Sequence, residues 1–354
     1  MNKLLHTPLH HVIVYLLFCI LISCGSDPTA YDHSEDTSYP HTFESVCFVD
    51  ANTGWVVGGN AILRTDDGGT TWISQNHTAS DLHSVCFSDA TNGCVASSGM
   101  ILTTNDGGNT WTEQQHDMTK VNSIHFVDAQ YGWAAGRAEF QGDDGYSAVV
   151  YSTSDGGIHW HKKYKRFVVN HWIWGGAIFL RVFAIDRSTA WVAGNYNAVG
   201  PYRTTDAGDH WRPPTSLPTW TAFNRSISDL FFIDADIGWL SIGNEILKST
   251  DGGKTWTSYE TISDDSLSPD IPTIHFIDQN TGWAIRDRQI IKSIDGGETW
   301  ALLHIVSEMY STLNDLQFID ASIGWVVGAN ETILKTTDGG ETWEVQMQDF
   351  GSED

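Results

Sequence analysis

The residues best equipped for chemistry form a short basic and aromatic run, Lys162-Lys163-Tyr164-Lys165-Arg166, followed closely by Trp172 and Trp174. From Lys162 to Arg225 nine lysines and arginines face three acids, Asp186, Asp206 and Asp209, a net of +6. The rest of the chain stands at −31, giving −25 overall. Cationic heads beside indole and phenol rings suit an anionic partner, such as an acidic peptide, lipid headgroups or a charged glycan. Arg181, Trp220 and Arg225 fall in the same stretch and complete the expected partner-binding set, since Arg, Trp and Tyr are common interface anchors. A solvated loop whose aromatics pack back onto the body would have the same composition. The acidic total excludes a general nucleic-acid binder, which needs clustered cations to neutralise phosphates.

Other reactive groups point to no cofactor. No phosphate-cradling loop, nucleophile elbow or zinc motif occurs, and the doublet Asp143-Asp144 does not match a calcium loop. Of five cysteines, Cys19 and Cys24 lie near the N-terminus. Cys47, Cys86 and Cys94 have neither metal nor redox spacing; a disulfide among them stays open, and free buried thiols are expected.

The elements that must position these residues come from a repeat. The motif Ser/Thr-x-Asp-x-Gly-x-x-Trp recurs seven times, with its acid at Asp67, Asp106, Asp155, Asp206, Asp251, Asp295 and Asp338. A second motif, Phe48-Val49-Asp50-Ala51-Asn52-Thr53-Gly54-Trp55 in the first copy, leads each repeat and degrades once, at Ala184-Ile185-Asp186. Copies of 39 to 51 residues suit a four-stranded blade. Within a copy, period-two segments alternate with turn formers, which predicts four strands with the Asp-box as the hairpin between the third and fourth. Each box Trp buries roughly 150–250 Å², about 4–6 kcal/mol as an upper figure. The expected fold is all-β: a seven-bladed β-propeller over residues 42–354 with four-stranded blades. First-to-second turns and Asp-boxes then share one rim. The long insertions, including 161–181 and 212–228, are expected on the other rim, where the partner would bind.

At the N-terminus Lys3 precedes an apolar stretch, Val12 to Ile22, too short to span a bilayer comfortably. Leu21-Ile22-Ser23-Cys24 resembles a bacterial lipobox, which implies a signal peptide over 1–23 and a lipid on Cys24. Residues 24–41 read as a flexible tether, and an ordinary secretory signal is the alternative. A lipid-anchored monomer in the bacterial cell envelope is expected.

The paired motifs resemble the Asp-box, or bacterial-neuraminidase-repeat, propellers: sialidases, xyloglucan hydrolases, sortilin-type receptors and photosystem II assembly factors. They look most like the last group, whose propeller assists assembly of a membrane complex and has no catalytic residues to transfer. The resemblance implies a non-catalytic interaction or assembly factor. A glycoside hydrolase and a carbohydrate-binding surface lipoprotein are the alternatives. The sialidase signature Arg-Ile-Pro is absent, and xyloglucan hydrolases generally pair two propellers where this chain has room for one. Asp229 and Asp315, at matching positions near the channel mouth, are the best acid pair for a glycosidase, although hydrogen-bonding roles are expected of them. His125 and His275, like Phe183 and Phe231, read as ordinary alternation sites.

Overall fold

The computed structural model describes residues 42–114, 116–139, 146–167, 179–195, 200–216, 226–259, 270–306 and 312–346. Cys24, the expected signal peptide and the expected tether lie outside them. The chain divides into Met1–Ser38 and Tyr39–Asp354, and the second unit is a seven-bladed β-propeller.

Blade one runs β1 (Ser45–Phe48), β2 (Gly54–Gly58), β3 (Ala61–Thr65) and β4 (Ile73–Ser74), each antiparallel to the last. The order repeats with β5–β8 (82–114), β9–β12 (118–167), β13–β15 (179–204), β16–β19 (227–259), β20–β23 (274–305) and β24–β27 (313–345). In blade four the outermost position holds only the bridge Arg203↔Arg212. Pro213 and Pro214 follow and have no N–H to extend a ladder. The chain instead crosses to the next Asp-box, where the Thr215 amide donates to the Lys254 carbonyl at 2.8 Å. Residues 212–216 therefore reach the Asp-box side, contrary to the expectation for that insertion.

Each Asp-box is closed by its own side chains. Asp67 accepts from the Thr71 amide (2.9 Å) and hydroxyl (2.8 Å), and Thr65 Oγ1 takes the Gly69 amide at 2.8 Å. Gly68 and Gly69 sit at φ of 75° and 99°, a region that favours glycine. The Gly68 amide also donates to the Asn52 carbonyl at 2.7 Å, so the box and the first turn of its blade meet on one rim. Asp338 is held down at about 2 by the Thr342 hydroxyl and then its amide.

Blades are joined chiefly by side chains, with a few backbone hydrogen bonds such as Leu82 N to the Gly59 carbonyl at 3.0 Å. The β2 indole Trp55 stacks on Phe87 of the next blade at 3.4 Å, and its Nε1 donates to the Gly107 carbonyl of that blade's Asp-box at 3.1 Å. Trp191, Trp239, Trp283 and Trp325 repeat both contacts with Phe232, Phe276, Phe318 and Phe48. The last of these, Trp325 to Phe48 and Gly68, closes the ring between blades seven and one. Closure needs no strand exchange; of the residues preceding β1, Phe43 contributes one amide to the Gly328 carbonyl at 3.0 Å.

Trp283→Ala removes a fully buried indole and its hydrogen bond. It should cost about 3–5 kcal/mol in equilibrium denaturation. A loss below 1 kcal/mol would mean that these indoles do not hold the blades together.

Candidate functional site

The first strand of every blade lines a central channel of about 380 Å³ and leaves one edge of its backbone unpaired. Two rings of side chains, one residue per blade, face that edge, and their Ser, Asp, Cys and Gln members accept its amides. The first is Ser45, Ser84, Ser123, Arg181, Asp229, Thr273 and Asp315; the second is Cys47, Cys86, His125, Phe183, Phe231, His275 and Gln317. In the first ring, Ser45, Ser84 and Ser123 accept the amides of Val85, Ile124 and Val182 in the following blades. Asp229 takes the Ile274 and Leu230 amides, each at 2.9 Å, and Arg181 Nε at 3.2 Å. Asp315 takes the Val46 amide at 3.0 Å, the Leu316 amide at 2.9 Å and the Thr273 hydroxyl at 3.2 Å. Both carboxylates are therefore spent on backbone and neighbours. In the second ring, Cys47 and Cys86 accept the amides of Phe87 and Phe126, and all three described cysteines are free thiols. His125, Phe183, Phe231 and His275 form a tilted belt with centroids 4.4, 5.0 and 4.8 Å apart. Aligned repeats could have exposed the roles of Ser45, Ser84, Ser123 and Gln317, because they share a register with Asp229 and His275.

The expected partner-binding residues separate in space. Lys162, Lys163, Tyr164, Lys165 and Arg166 lie on β12 (His161–Phe167), the outer strand of blade three, rather than in a loop. An outer blade strand needs few buried side chains, so its charge density concealed the strand. Lys162 pairs with Asp117 and lies 5.4 Å over the Tyr151 ring; Lys163 reaches Asp209 at 3.5 Å. Tyr164 packs inward against Phe179, Tyr202 and Trp211. Arg181 belongs to β13 (Phe179–Ala184) and faces the channel with Asp229, so it is not part of an outer surface. Arg187 pairs with Asp128 at 3.1 Å, and Arg203 donates to the Gly252 carbonyl at 3.3 Å between blades. The described cations of this stretch are thus divided among four places. Trp172, Trp174, Trp220 and Arg225 lie outside the described residues. Among the described residues no cluster of three or more His, Cys, Asp or Glu could hold a metal ion.

Comparison with known proteins gives a consistent grouping. A family model described as photosynthesis system II assembly factor YCF48 matches residues 34–112, 74–219 and 303–354. No curated protein matches the sequence. Among solved structures, YCF48 bound to D1 peptide superposes with a TM-score of 0.65 at 18% identity, covering 84% of this chain and 92% of that one. YCF48 from Cyanidioschyzon merolae gives 0.61 at 20% identity, covering 84% and 96%. A GH74 xyloglucanase from Xanthomonas campestris gives 0.67 at 12% identity, covering 87% of this chain and 55% of the enzyme. At these identities the structural likeness carries the fold alone.

The channel's titratable groups set the pH dependence of stability. Burial lowers His125 and His275 to about 4, from an ordinary 6.5, so in the folded state they stay neutral where the unfolded chain takes up protons. Their contribution is present above pH 6.5 and is lost as the pH falls toward 4. Burial raises Asp315 to about 6, from 3.8, which works in the opposite sense over an overlapping range. Asp229 and Glu44, also raised by burial, act with Asp315 against the histidines, so the expectation rests on the difference: between pH 7 and 4 the unfolding free energy should fall more steeply, or rise less, in Asp315→Asn than in the parent. Denaturant titrations at each pH provide the check, and a smaller fall or a larger rise in the variant would contradict the assignment.

Proposed function

The chain belongs to the photosynthesis system II assembly factor YCF48 family, and from that premise we propose that it is a non-catalytic propeller that holds a protein partner during assembly of a membrane complex. One geometric observation carries the non-catalytic part: Asp229 and Asp315, the best acid pair for a glycosidase, each accept three hydrogen bonds from within the ring itself, with both oxygens engaged. A general acid or nucleophile needs a face turned toward substrate, and here those faces are taken by Ile274, Leu230, Val46 and Leu316 amides. The partner class follows from the family and from the neighbour solved as YCF48 bound to D1 peptide.

The proposed contact surface is the outer edge of blade three. Lys162 and Lys165 are exposed on β12, Lys163 is half-buried beside them, and Arg166 is next along the strand. The ion pairs Lys162–Asp117 and Lys163–Asp209 lie at the solvent-exposed surface and are weak, so an acidic partner segment can displace them. The lipobox-like Leu21-Ile22-Ser23-Cys24 supports export and lipid anchoring in the bacterial cell envelope. A lipid on Cys24 with residues 24–41 as a tether would keep the propeller near newly inserted membrane subunits, raising the effective concentration of partner.

The test uses the full exported chain, cross-linked in solubilised membranes of its native host, with partners identified by mass spectrometry. Replacing Lys162, Lys163, Lys165 and Arg166 together by Glu should abolish capture of the parent's partner. Melting should stay within about 4 °C of the parent, because exposed ion pairs are worth at most about 1 kcal/mol each. Undiminished capture would remove β12 as the surface. Hydrolysis of xyloglucan or a sialoside by the purified protein would remove the non-catalytic reading.

A further inference from the structure

The repeat supplies its own control for what an empty position means. At five blade junctions, the β2-type indole is overlain by a cation from the neighbouring third strand. Arg64, Arg203, Lys248, Lys292 and Lys335 lie 5.0 to 5.7 Å from the rings of Trp55, Trp191, Trp239, Trp283 and Trp325. Indole and cation converge on one acceptor. The Gly107 carbonyl takes both Trp55 Nε1 and Arg64 Nη1, and Gly252 and Gly339 are served in the same way.

Between blades two and three both groups are missing. The register that pairs Trp55 with Arg64 in blade one pairs Cys94 with Thr103 in blade two. The equivalent acceptor, the Gly156 carbonyl, has the weak donor Cys94 Sγ at 4.0 Å. Phe126, which would carry the missing indole, is half-buried, whereas the five stacked phenylalanines are buried. A groove of about 610 Å³ opens at this junction, lined by Thr103, Gln114, Gln130, Asp155, Gly156 and Ile158. Between blades three and four the third-strand cation is also absent, Ser152 standing opposite Trp133. There the indole remains, Lys163 and Arg187 line the junction, and the space shrinks to about 190 Å³.

We infer that the groove between blades two and three is a binding site for an arginine side chain of a partner protein. At Gly107, Gly252 and Gly339 an Arg or Lys aims a positively charged donor at the box carbonyl. A guanidinium from outside would do the same here, and its fork of donors would reach the Gly156 carbonyl and the Asp155 carboxylate, which share the groove. Asp155 is held in its box by Thr153 and His159, and the overall charge of −25 favours approach of a cation. A volume of this size admits the side chain with the backbone on either side of it.

The inference does not depend on β12 or on the assembly reading, because its probe is a single amino-acid derivative. N-acetyl-arginine amide, titrated into the isotope-labelled protein, should shift the Gly156 and Gly157 amide resonances saturably. N-acetyl-citrulline amide, flat but uncharged, should bind at least tenfold more weakly, and N-acetyl-lysine amide should also be weaker. Thr103→Lys installs the cation that Lys292 and Lys335 provide at their junctions; it should abolish the shifts while melting no lower than the parent. Equal response to citrulline or lysine, shifts that survive in Thr103→Lys, or no response at Gly156 would each overturn the site.

Discussion

The contact on which the molecule depends is the hydrogen bond from an indole of one blade to a glycine carbonyl in the Asp-box of the next. Backbone ladders hold each sheet together but stop at its edges, and the few main-chain hydrogen bonds between blades lie in the connecting segments, away from the buried sheet faces. The Asp-box turns a carbonyl toward the preceding blade, and the second-strand Trp meets it while stacking on the first-strand Phe. One buried ring thus sets both the spacing and the angle of the junction. A side chain on the first box glycine would occupy the cation's place: a Cβ on Gly68 would lie 2.6 Å from Lys335 Nζ and from the Ala51 carbonyl. The exception supports the rule. Ala207 replaces that glycine at φ 57°, at the junction where the preceding blade offers Ser152 instead of Lys or Arg.

The ring so formed creates a second demand at its centre. Seven inner strands bring seven unpaired edges to a narrow channel, and buried amides without partners are costly. Ser, Asp, Cys and Gln from one blade take the amides of the next, so the polar lining is the price of closing the ring. This explains why acids and histidines gather there: they accept amides or pack against their neighbours in the ring. Burial raises Asp229 although Arg181 beside it lowers it, and it keeps both histidines neutral. The channel holds fixed dipoles and rings that already face one another.

What was legible in the sequence was whatever the repeat wrote seven times. Asp-boxes, indoles, blade number and the hydrogen-bonding character of Asp229 and Asp315 all follow from register, and register is preserved from residues to space. Charge was not legible in the same way. Arg181, Arg187, Arg203 and Lys162 are near one another along the chain, yet an antiparallel blade sends them to the channel, the Asp-box rim, a blade junction and the outer edge. Sequence proximity measures surface proximity only within a loop, and β12 is a strand. Pro213-Pro214 was a visible signal that blade four would lose its outer ladder; read simply as part of a long insertion, it gave no direction to the chain that follows.

In a sevenfold repeat the copies calibrate one another. Blades five, six, seven and one keep indole, phenylalanine and cation at every junction they share, and they form a stiff frame. The departures collect on the other side: Cys94 and Thr103 in blade two, Ser152 in blade three, Ala184, Ala207 and the missing outer strand in blade four. Each omits contacts that the fold evidently has the means to make, and an indole-for-small-residue exchange forgoes about 3–5 kcal/mol where nothing refills the space. A ring can carry such losses on one arc because the remaining junctions still close it. The same arc bears the basic outer strand and the long insertions. The physical division is therefore between an arc optimised for packing and an arc that lacks some of the packing groups, and the contact surface proposed for β12 lies on the second.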